Sequence, residues 1–283
     1  MTKSKKSRRD VAAEITETIT RQLEAGVAPW VRPWSSPGTS TALPSNAATG
    51  KRYRGVNVML LWATASEAGY GDSRWLTFKQ AKELGGHVRK GEKSTAVVFW
   101  RPIERAEDND AGERETRQVW ICRTYRVFNV EQCDGLDLDG LEPTAAEPGA
   151  AERIATDRGA DVVWGGDRAC YSRTTDRIRM PKRERFATEA ACEATLLHEL
   201  THWTGHESRL GRQFGKRFGD DAYAFEELVA ELGAAFLCAE LGVAGQLQHA
   251  EYLGHWARVL EADRHAIFTA SRLAFEAAEL LLG

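Results

Sequence analysis

One stretch, ATLLHELTHWTGH (residues 194–206), constrains the fold more than any other part of the chain. A helix is expected over residues 188–204, because a threonine that can cap the helix begins it and a glycine follows it. On that helix His198 and His202 project from the same face, one turn apart, as two ligands of one metal ion require. Glu199 lies beside them, where a carboxylate can take a proton from water activated by the metal. The motif therefore predicts the active helix of a zinc hydrolase.

A third ligand decides whether this motif is more than chance, since a bare His-Glu-x-x-His arises in roughly one unrelated chain of this length in a hundred. Zinc used in catalysis takes three protein ligands and leaves one position open. The downstream segment FEELVAELGAAF carries Glu227 and Glu231 one helical turn apart. This spacing suits a ligand followed by a carboxylate that orients a ligand histidine, and Glu226 lacks it. The predicted site binds one Zn²⁺ per chain and consists of the ligands His198, His202 and Glu227, the base Glu199 and the supporting Glu231.

Two alternatives remain open for these residues. The glutamates could form a solvated helix face, although Glu231 stands in an apolar run where an unpaired carboxylate is costly. His206 could replace Glu227 as the third ligand, although it follows the glycine that should end the helix. Upstream of the motif, TDRIRMP (residues 175–181) alternates apolar and charged side chains. We expect this segment to be the strand that borders the metal cleft and pairs with an extended substrate.

The charge of the chain is unevenly distributed. Residues 1–100 carry 16 Lys and Arg against 8 Asp and Glu, whereas residues 101–283 carry 22 against 33. A basic half attracts polyanions, so the two halves are expected to have different tasks. The apolar runs are too short for a membrane span, and two glutamates interrupt any signal-peptide core, so we expect a cytoplasmic protein with no membrane partner. Five widely spaced cysteines without a C-x-x-C pair favour neither a disulfide frame nor a thiolate zinc site.

Periodicity predicts three helices and a hairpin in the basic half. Helical spacing covers residues 11–25, 56–70 and 77–86, and alternating segments at 94–103 and 117–130 predict an antiparallel hairpin with a long loop. The acidic strip that follows is rich in Gly and Pro and poor in large apolar residues. The predicted organisation is a first domain over 1–133, a linker over 134–150 and a second domain over 151–283.

Loops of the first half mix aromatic and basic residues. Single-stranded nucleic acid is bound by this combination, since unpaired bases stack on aromatic faces while cations follow the phosphates. The alternative is that the tryptophans anchor the core and the charges form a solvated face. The predicted contacts are Trp30, Arg32, Trp34, Lys51, Tyr53, Arg54, Arg74, Trp75, Arg89, Lys90 and Lys93.

The motifs of both halves resemble one known family. LEAGVAPWVRPW, LPSNAATGKRYRGVNVMLLW and RWLTFKQAKELGGHVRKGEKSTAVVFW closely resemble the N-terminal domain of ArdC-type antirestriction proteins, which also begins TraC-type plasmid primases. HELTHWTGH, YAFEELVAELGAAFL and EYLGHWARVLEADRHAIFTASRLAFEAAELLL resemble the metallopeptidase-like domain of the same family. Within these motifs Asn46, Asn57 and Lys79 join the predicted DNA contacts.

The resemblance implies an α+β chain and a function in mobile elements. A small α+β domain that binds single-stranded DNA would precede a zincin-like domain with a short sheet and the His-Glu-x-x-His helix. The family shields incoming DNA from restriction. The alternatives are a DNA-guided zinc protease and an accessory module of plasmid priming. Expected partners are single-stranded DNA and a restriction enzyme or other DNA-bound protein, with the chain acting as a monomer.

Overall fold

The computed structural model describes residues 11–26, 28, 30, 42–108, 114–139, 147–213, 221–244 and 252–283. Arg32 and Trp34 lie outside these residues. The first half is a mixed α/β arrangement whose elements follow in this order: α1 (Val11–Glu24), β1 (Ser45–Asn46), α2 (Val56–Ala68), β2 (Arg74–Leu76), α3 (Phe78–Glu83), β3 (His87–Val88), β4 (Thr95–Asp108), β5 (Arg114–Asn129) and β6 (Cys133–Asp134).

The predicted hairpin is confirmed as a long antiparallel ribbon of β4 and β5. Its register pairs Val97 with Tyr125 and Phe99 with Arg123, so these four side chains share one face of the ribbon. In the described part of the chain, the sheet order is β1-β2-β5-β4, and β3 pairs separately with β6. The predicted helices also form, and Thr77 caps α3 as its hydroxyl accepts from the Gln80 backbone N–H at 3.2 Å.

The second half places a small sheet beside a group of helices. Its elements are α4 (Ala150–Asp157), β7 (Asp161–Gly166), β8 (Cys170–Ser172), β9 (Arg177–Pro181), α5 (Glu189–Thr204), α6 (Asp221–Leu241), α7 (Leu253–Ala262) and α8 (Ala266–Leu282). Helix α5 begins and ends as predicted: the Thr188 hydroxyl accepts from the Ala191 N–H at 3.1 Å, and Gly205 follows the last turn. Among the described helices, none is long and apolar enough to cross a membrane.

The strand order corrects one prediction. The sheet order is β7-β9-β8, with β7 parallel and β8 antiparallel to β9. The segment TDRIRMP therefore forms the central strand, because a short turn after Ser172 folds the chain back between its neighbours. The strand at the edge beside the metal cleft is β8, whose Cys170 and Tyr171 line that cleft.

One hydrophobic core extends through both halves of the chain. Helix α1 packs on α7, and α2 contacts α8. The ring of Trp30 lies 5.5 Å from that of Trp256, and Trp62 lies 6.0 Å from Phe236, with all four side chains almost fully buried. The predicted halves are therefore packed against each other through aromatic contacts, although the division at residues 134–150 stays a prediction.

Candidate metal centre and nucleic-acid surface

Helices α5 and α6 bring together three side chains that could hold a metal ion. His198 and His202 come from α5 and Glu227 comes from α6, and one ligand atom of each lies within 4.8 Å of the others. The Nε2 atoms of His198 and His202 lie 3.6 Å and 3.5 Å from the two Glu227 oxygens. Ligands placed tetrahedrally around zinc at ordinary bond lengths stand about 3.3 Å apart. The Glu227 contacts are close to this spacing, whereas ligand atoms up to 4.8 Å apart must move closer for the three side chains to hold one divalent metal ion.

Two further carboxylates hold the imidazole rings from behind. Glu231 Oε2 lies 3.5 Å from His198 Nδ1, and Glu226 Oε1 lies 3.1 Å from His202 Nδ1. A carboxylate on the far nitrogen orients the ring and makes the other nitrogen a better ligand. The sequence interpretation included Glu231 but missed Glu226, which contacts the second histidine.

A buried arginine holds Glu226 in place. Arg212 is 5% exposed, and its Nε and Nη2 donate to the two Glu226 oxygens at 3.0 Å and 2.8 Å. Its remaining N–H groups donate to the Thr204 hydroxyl at 2.7 Å and to the Thr201 carbonyl at 2.6 Å. Removing one partner of a buried pair of this kind leaves a costly charge. The only sequence signal for this arrangement was an arginine soon after the histidine motif.

A glycine allows the two helices to approach closely. A Cβ built on Gly233 of α6 would lie 2.5 Å from Thr201 Cγ2 and 2.9 Å from Thr201 Oγ1. Thr201 lies between the two histidines on α5. Because no side chain at residue 233 keeps the helices apart, Glu227, less than two turns away, reaches both imidazoles.

The site is strongly attractive to cations. Burial lowers the pKa of His198, but hydrogen bonds to Glu227 and Glu231 raise it to about 10. Burial likewise lowers the pKa of His202, but Glu226 and Glu227 raise it to about 9. The pKa of Glu227 is raised by burial but depressed overall by the two histidines. The carboxylates thus favour positive charge at this position, whether it is supplied by protons or by a metal ion.

The three ligand side chains open onto a cleft of about 240 Å³. Glu199 lines this cleft beside them and is 7% exposed. Tyr223 and Tyr252 line another wall, and their rings lie 6.4 Å apart. The cleft therefore combines a candidate metal centre, a carboxylate for proton transfer and neutral hydroxyl donors.

Several predicted DNA contacts are core residues and require correction. Trp30 and Trp75 are 1% and 0% exposed, so neither ring presents a face on which a base could stack. Asn57 is also buried, and its amide bonds to the Val98 backbone N–H at 2.8 Å and carbonyl at 2.7 Å. The alternative that the tryptophans anchor the core therefore holds for Trp30, which packs against Trp256, and for Trp75, which packs against Tyr70.

The predicted cations differ in how they are engaged. Arg74 is mostly buried against Asp72, and Arg89 pairs with Glu92 and Asp134. The other two pairs are Arg54 with Glu279 and Lys79 with Glu83, both with well-exposed cations. Exposed lysines at 51, 90 and 93 complete the set. Arg74 therefore has a structural role, whereas the exposed cations are accessible to phosphate groups.

A surface groove contains aromatic residues that the sequence interpretation missed. Phe99 and Tyr125 are 46% and 44% exposed on one face of the β4–β5 ribbon. The groove that they line also contains the predicted residues Asn46 and Tyr53, although Tyr53 is only 6% exposed and belongs to the hydrophobic core. Strand alternation gave no signal for them, since the same face also carries the buried Val97 and Val127.

Comparison with known proteins finds a matching family for each half of the chain. Residues 149–273 match the family model of a zincin-like metallopeptidase, and residues 9–128 match that of the N-terminal domain of anti-restriction factor ArdC. The metal-free crystal structure of the antirestriction ArdC protein from plasmid R388 aligns with a TM-score of 0.81 and 42% identity, covering 96% of this chain and 97% of that chain. The chain belongs to the ArdC antirestriction family. The predicted family and mixed zincin-like fold are thereby confirmed.

Other relatives define what the ArdC family shares. The Mn(II)-bound structure of R388 ArdC aligns with a TM-score of 0.79 and 40% identity, covering 96% of this chain and 97% of that chain. The protein y4eC of Sinorhizobium fredii is 36% identical over 278 residues, 95% of this chain and 91% of its own length. DNA primase TraC of Escherichia coli is 38% identical over 274 residues, which cover 91% of this chain but only 19% of that primase. A divalent metal is thus present in one ArdC structure, and the family unit also forms part of a larger primase.

Proposed function

We propose that this protein binds single-stranded DNA through its first half and protects incoming mobile-element DNA from restriction. The observation that carries the proposal is the likeness to R388 ArdC over 96% of the chain, together with a complete set of metal-binding side chains. In this proposal the chain acts in the cytoplasm as a monomer and holds one Zn²⁺. The exposed lysines of the first half supply the sequence-independent attraction to phosphates.

The second half has the residues needed for peptide hydrolysis. His198, His202 and Glu227 would hold the metal, which when bound supplies Lewis acidity to a peptide carbonyl and to the attacking water. Glu199 accepts the proton of that water and later donates it to the leaving amine. Glu226 and Glu231 keep the two imidazoles oriented throughout. The edge strand β8 borders the cleft, where an extended peptide could add as a neighbouring strand.

This cleft supports a second candidate function, a DNA-guided zinc protease that cleaves a restriction enzyme or another DNA-bound protein. The observation favouring it is that Glu199 faces the same cleft as the ligands. An accessory role in plasmid priming is the third candidate, and its support is the likeness to part of TraC.

Plasmid transfer tests these candidates directly. Unmodified plasmid is transferred into a restricting recipient that expresses wild type, Glu199→Ala or the control Glu207→Ala, which alters an exposed carboxylate five residues after His202. We expect wild type and Glu207→Ala to protect equally. Equal protection by Glu199→Ala means that DNA binding suffices, whereas its loss assigns protection to peptide chemistry. Absence of protection by wild type would refute the antirestriction function.

A further inference from the structure

The groove on the β4–β5 ribbon, here called the aromatic groove, has an apolar floor and aromatic walls. Val97 and Val127 form the floor and are nearly fully buried. The rings of Phe99 and Tyr125 stand edge to face with centroids 5.3 Å apart, and Tyr53 lies 6.5 Å from Phe99. The cavity measures about 470 Å³. Two large aromatic side chains thus remain nearly half exposed beside a cavity wide enough for a planar ligand.

One end of the aromatic groove carries fixed amide groups. Asn46 Nδ2 donates to Gln80 Oε1 at 3.1 Å, and Gln80 Nε2 donates to Asn46 Oδ1 at 3.0 Å. Gln80 Oε1 also accepts from the Thr77 backbone N–H at 2.9 Å, and Tyr53 Oη lies 3.5 Å from Asn46 Nδ2. Asn46 Oδ1 also accepts from the backbone N–H groups of Ala48 and Thr49 at 3.2 Å and 3.1 Å. This end of the groove can therefore offer a ligand the second N–H of Gln80 Nε2 and the hydrogen of the Tyr53 hydroxyl, both held in place before binding.

The charge around the aromatic groove favours an anionic ligand. Arg123 lines the groove and stands opposite Phe99 in the ribbon register, and no acidic side chain lines it among the described residues. Lys51, on the loop between Asn46 and Tyr53, is exposed. A ligand that combines flat apolar faces, a polar edge and a negative backbone satisfies all three features.

We propose that the aromatic groove is a nucleobase-binding site that takes an unpaired base of single-stranded DNA. The base stacks on the face of one of the two perpendicular rings, Phe99 or Tyr125, and meets the edge of the other. Its polar edge accepts from the Gln80 amide or the Tyr53 hydroxyl, and Arg123 contacts a neighbouring phosphate. A paired base in a duplex has both faces covered by its neighbours, so the groove selects single strands. This inference rests on the proposed single-strand binding and names the site that performs it.

The test measures binding of a fluorescein-labelled oligonucleotide by anisotropy at several salt concentrations. Phe99→Leu and Tyr125→Leu remove the rings but keep apolar bulk, and Phe78→Leu is the matched control. Phe78 is 51% exposed on α3 and lies outside the groove. We expect the two groove variants to bind about 5- to 150-fold more weakly and the control to bind like wild type.

Salt dependence separates stacking from phosphate contact. The plot of log affinity against log salt concentration has a negative slope, and Arg123→Gln should reduce its magnitude by about 0.7 because one phosphate contact is lost. Phe99→Leu should leave the slope unchanged. If wild type binds single strands and both leucine variants bind nearly as well, the aromatic groove is not the nucleobase-binding site, and the proposed function is unaffected. Failure of wild type to bind single strands would overturn both. Loss of binding in Phe78→Leu as well would overturn the assignment to the groove, and circular dichroism confirms that each variant is folded.

Discussion

The close approach of α5 and α6 predicts that Gly233→Ala weakens metal binding. The new Cβ would stand 2.5 Å from Thr201 Cγ2, whereas ordinary contact begins at 3.4 Å. The helices must therefore separate locally by roughly 0.9 Å, because a packed interior has no room to absorb the methyl group. Glu227 is less than two turns away on the same helix, and metal–ligand distances tolerate deviations of only about 0.2 Å. Displacement of Glu227 should lower metal affinity by about 10- to 100-fold.

The same substitution should change the stability of the metal-free protein much less. Overpacking costs about 1–3 kcal/mol, whereas replacing glycine by alanine inside a helix recovers about 1 kcal/mol. The net loss of unfolding free energy is therefore up to about 2 kcal/mol. Affinity for Mn²⁺ and Zn²⁺ is measured by isothermal titration calorimetry, and stability by urea denaturation in the presence of chelator.

Two matched variants make this test specific. Gly254→Ala adds the same methyl group to α7, where nothing lies within 4 Å, and should leave metal affinity unchanged. Thr201→Ala combined with Gly233→Ala removes both atoms that clash, Cγ2 at 2.5 Å and Oγ1 at 2.9 Å, and leaves Thr201 Cβ at 3.3 Å, so it should restore much of the affinity. Wild-type affinity in Gly233→Ala would refute the argument that this helix contact sets the ligand geometry.

Three further outcomes are expected. Arg212→Ala should lower the unfolding free energy by about 3–5 kcal/mol, because it leaves the buried Glu226 carboxylate, Thr204 hydroxyl and Thr201 carbonyl without the guanidinium that they contact. A loss below about 1 kcal/mol in urea denaturation would contradict the buried pair. Metal binding at pH 7 should release about two protons, because the pKa values of His198 and His202, about 10 and 9, lie above 7 and both ligands must be neutral. The affinity for the metal should accordingly rise with pH. Calorimetry in buffers of different ionisation heat measures the protons released, and a result of no released proton would contradict the prediction. Trp75→Ala should cost about 3–5 kcal/mol of stability, since the ring is fully buried, and wild-type stability would restore it as a stacking candidate.

Local spacing made helix α5, which carries the His-Glu-x-x-His motif, predictable. His198 and His202 share a face because helical residues four apart always do, so no tertiary information was needed. The threonine and glycine at its ends were likewise readable, since capping depends on neighbouring backbone groups. The choice of Glu227 and Glu231 followed from the same rule applied to α6. The structure places both beside the histidines.

Contacts between distant segments were not readable in this way. Arg212 reaches Glu226 because the chain after α5 turns back onto the end of that helix, where the Arg212 backbone N–H donates to the Gly205 carbonyl, and because α6 packs beside α5. No periodicity in either segment predicts that pairing. Trp75 has the composition of a stacking residue, yet packing against Tyr70 at 6.1 Å buries it completely. An aromatic ring uses the same apolar surface to pack in the core or to stack on a base, so only its position in the fold distinguishes the two roles.

The amino-acid order alone was enough to predict the helices of the first half, helix α5, the ribbon, the candidate metal ligands and the family of the chain, because each depends on local spacing or on motifs that are contiguous along the chain. Three-dimensional packing was needed to show that both halves share a core, that β8 rather than β9 borders the cleft, and that Phe99 and Tyr125 rather than Trp30 and Trp75 face solvent. Burial is a property of how segments meet, and that information is not contained in any one segment.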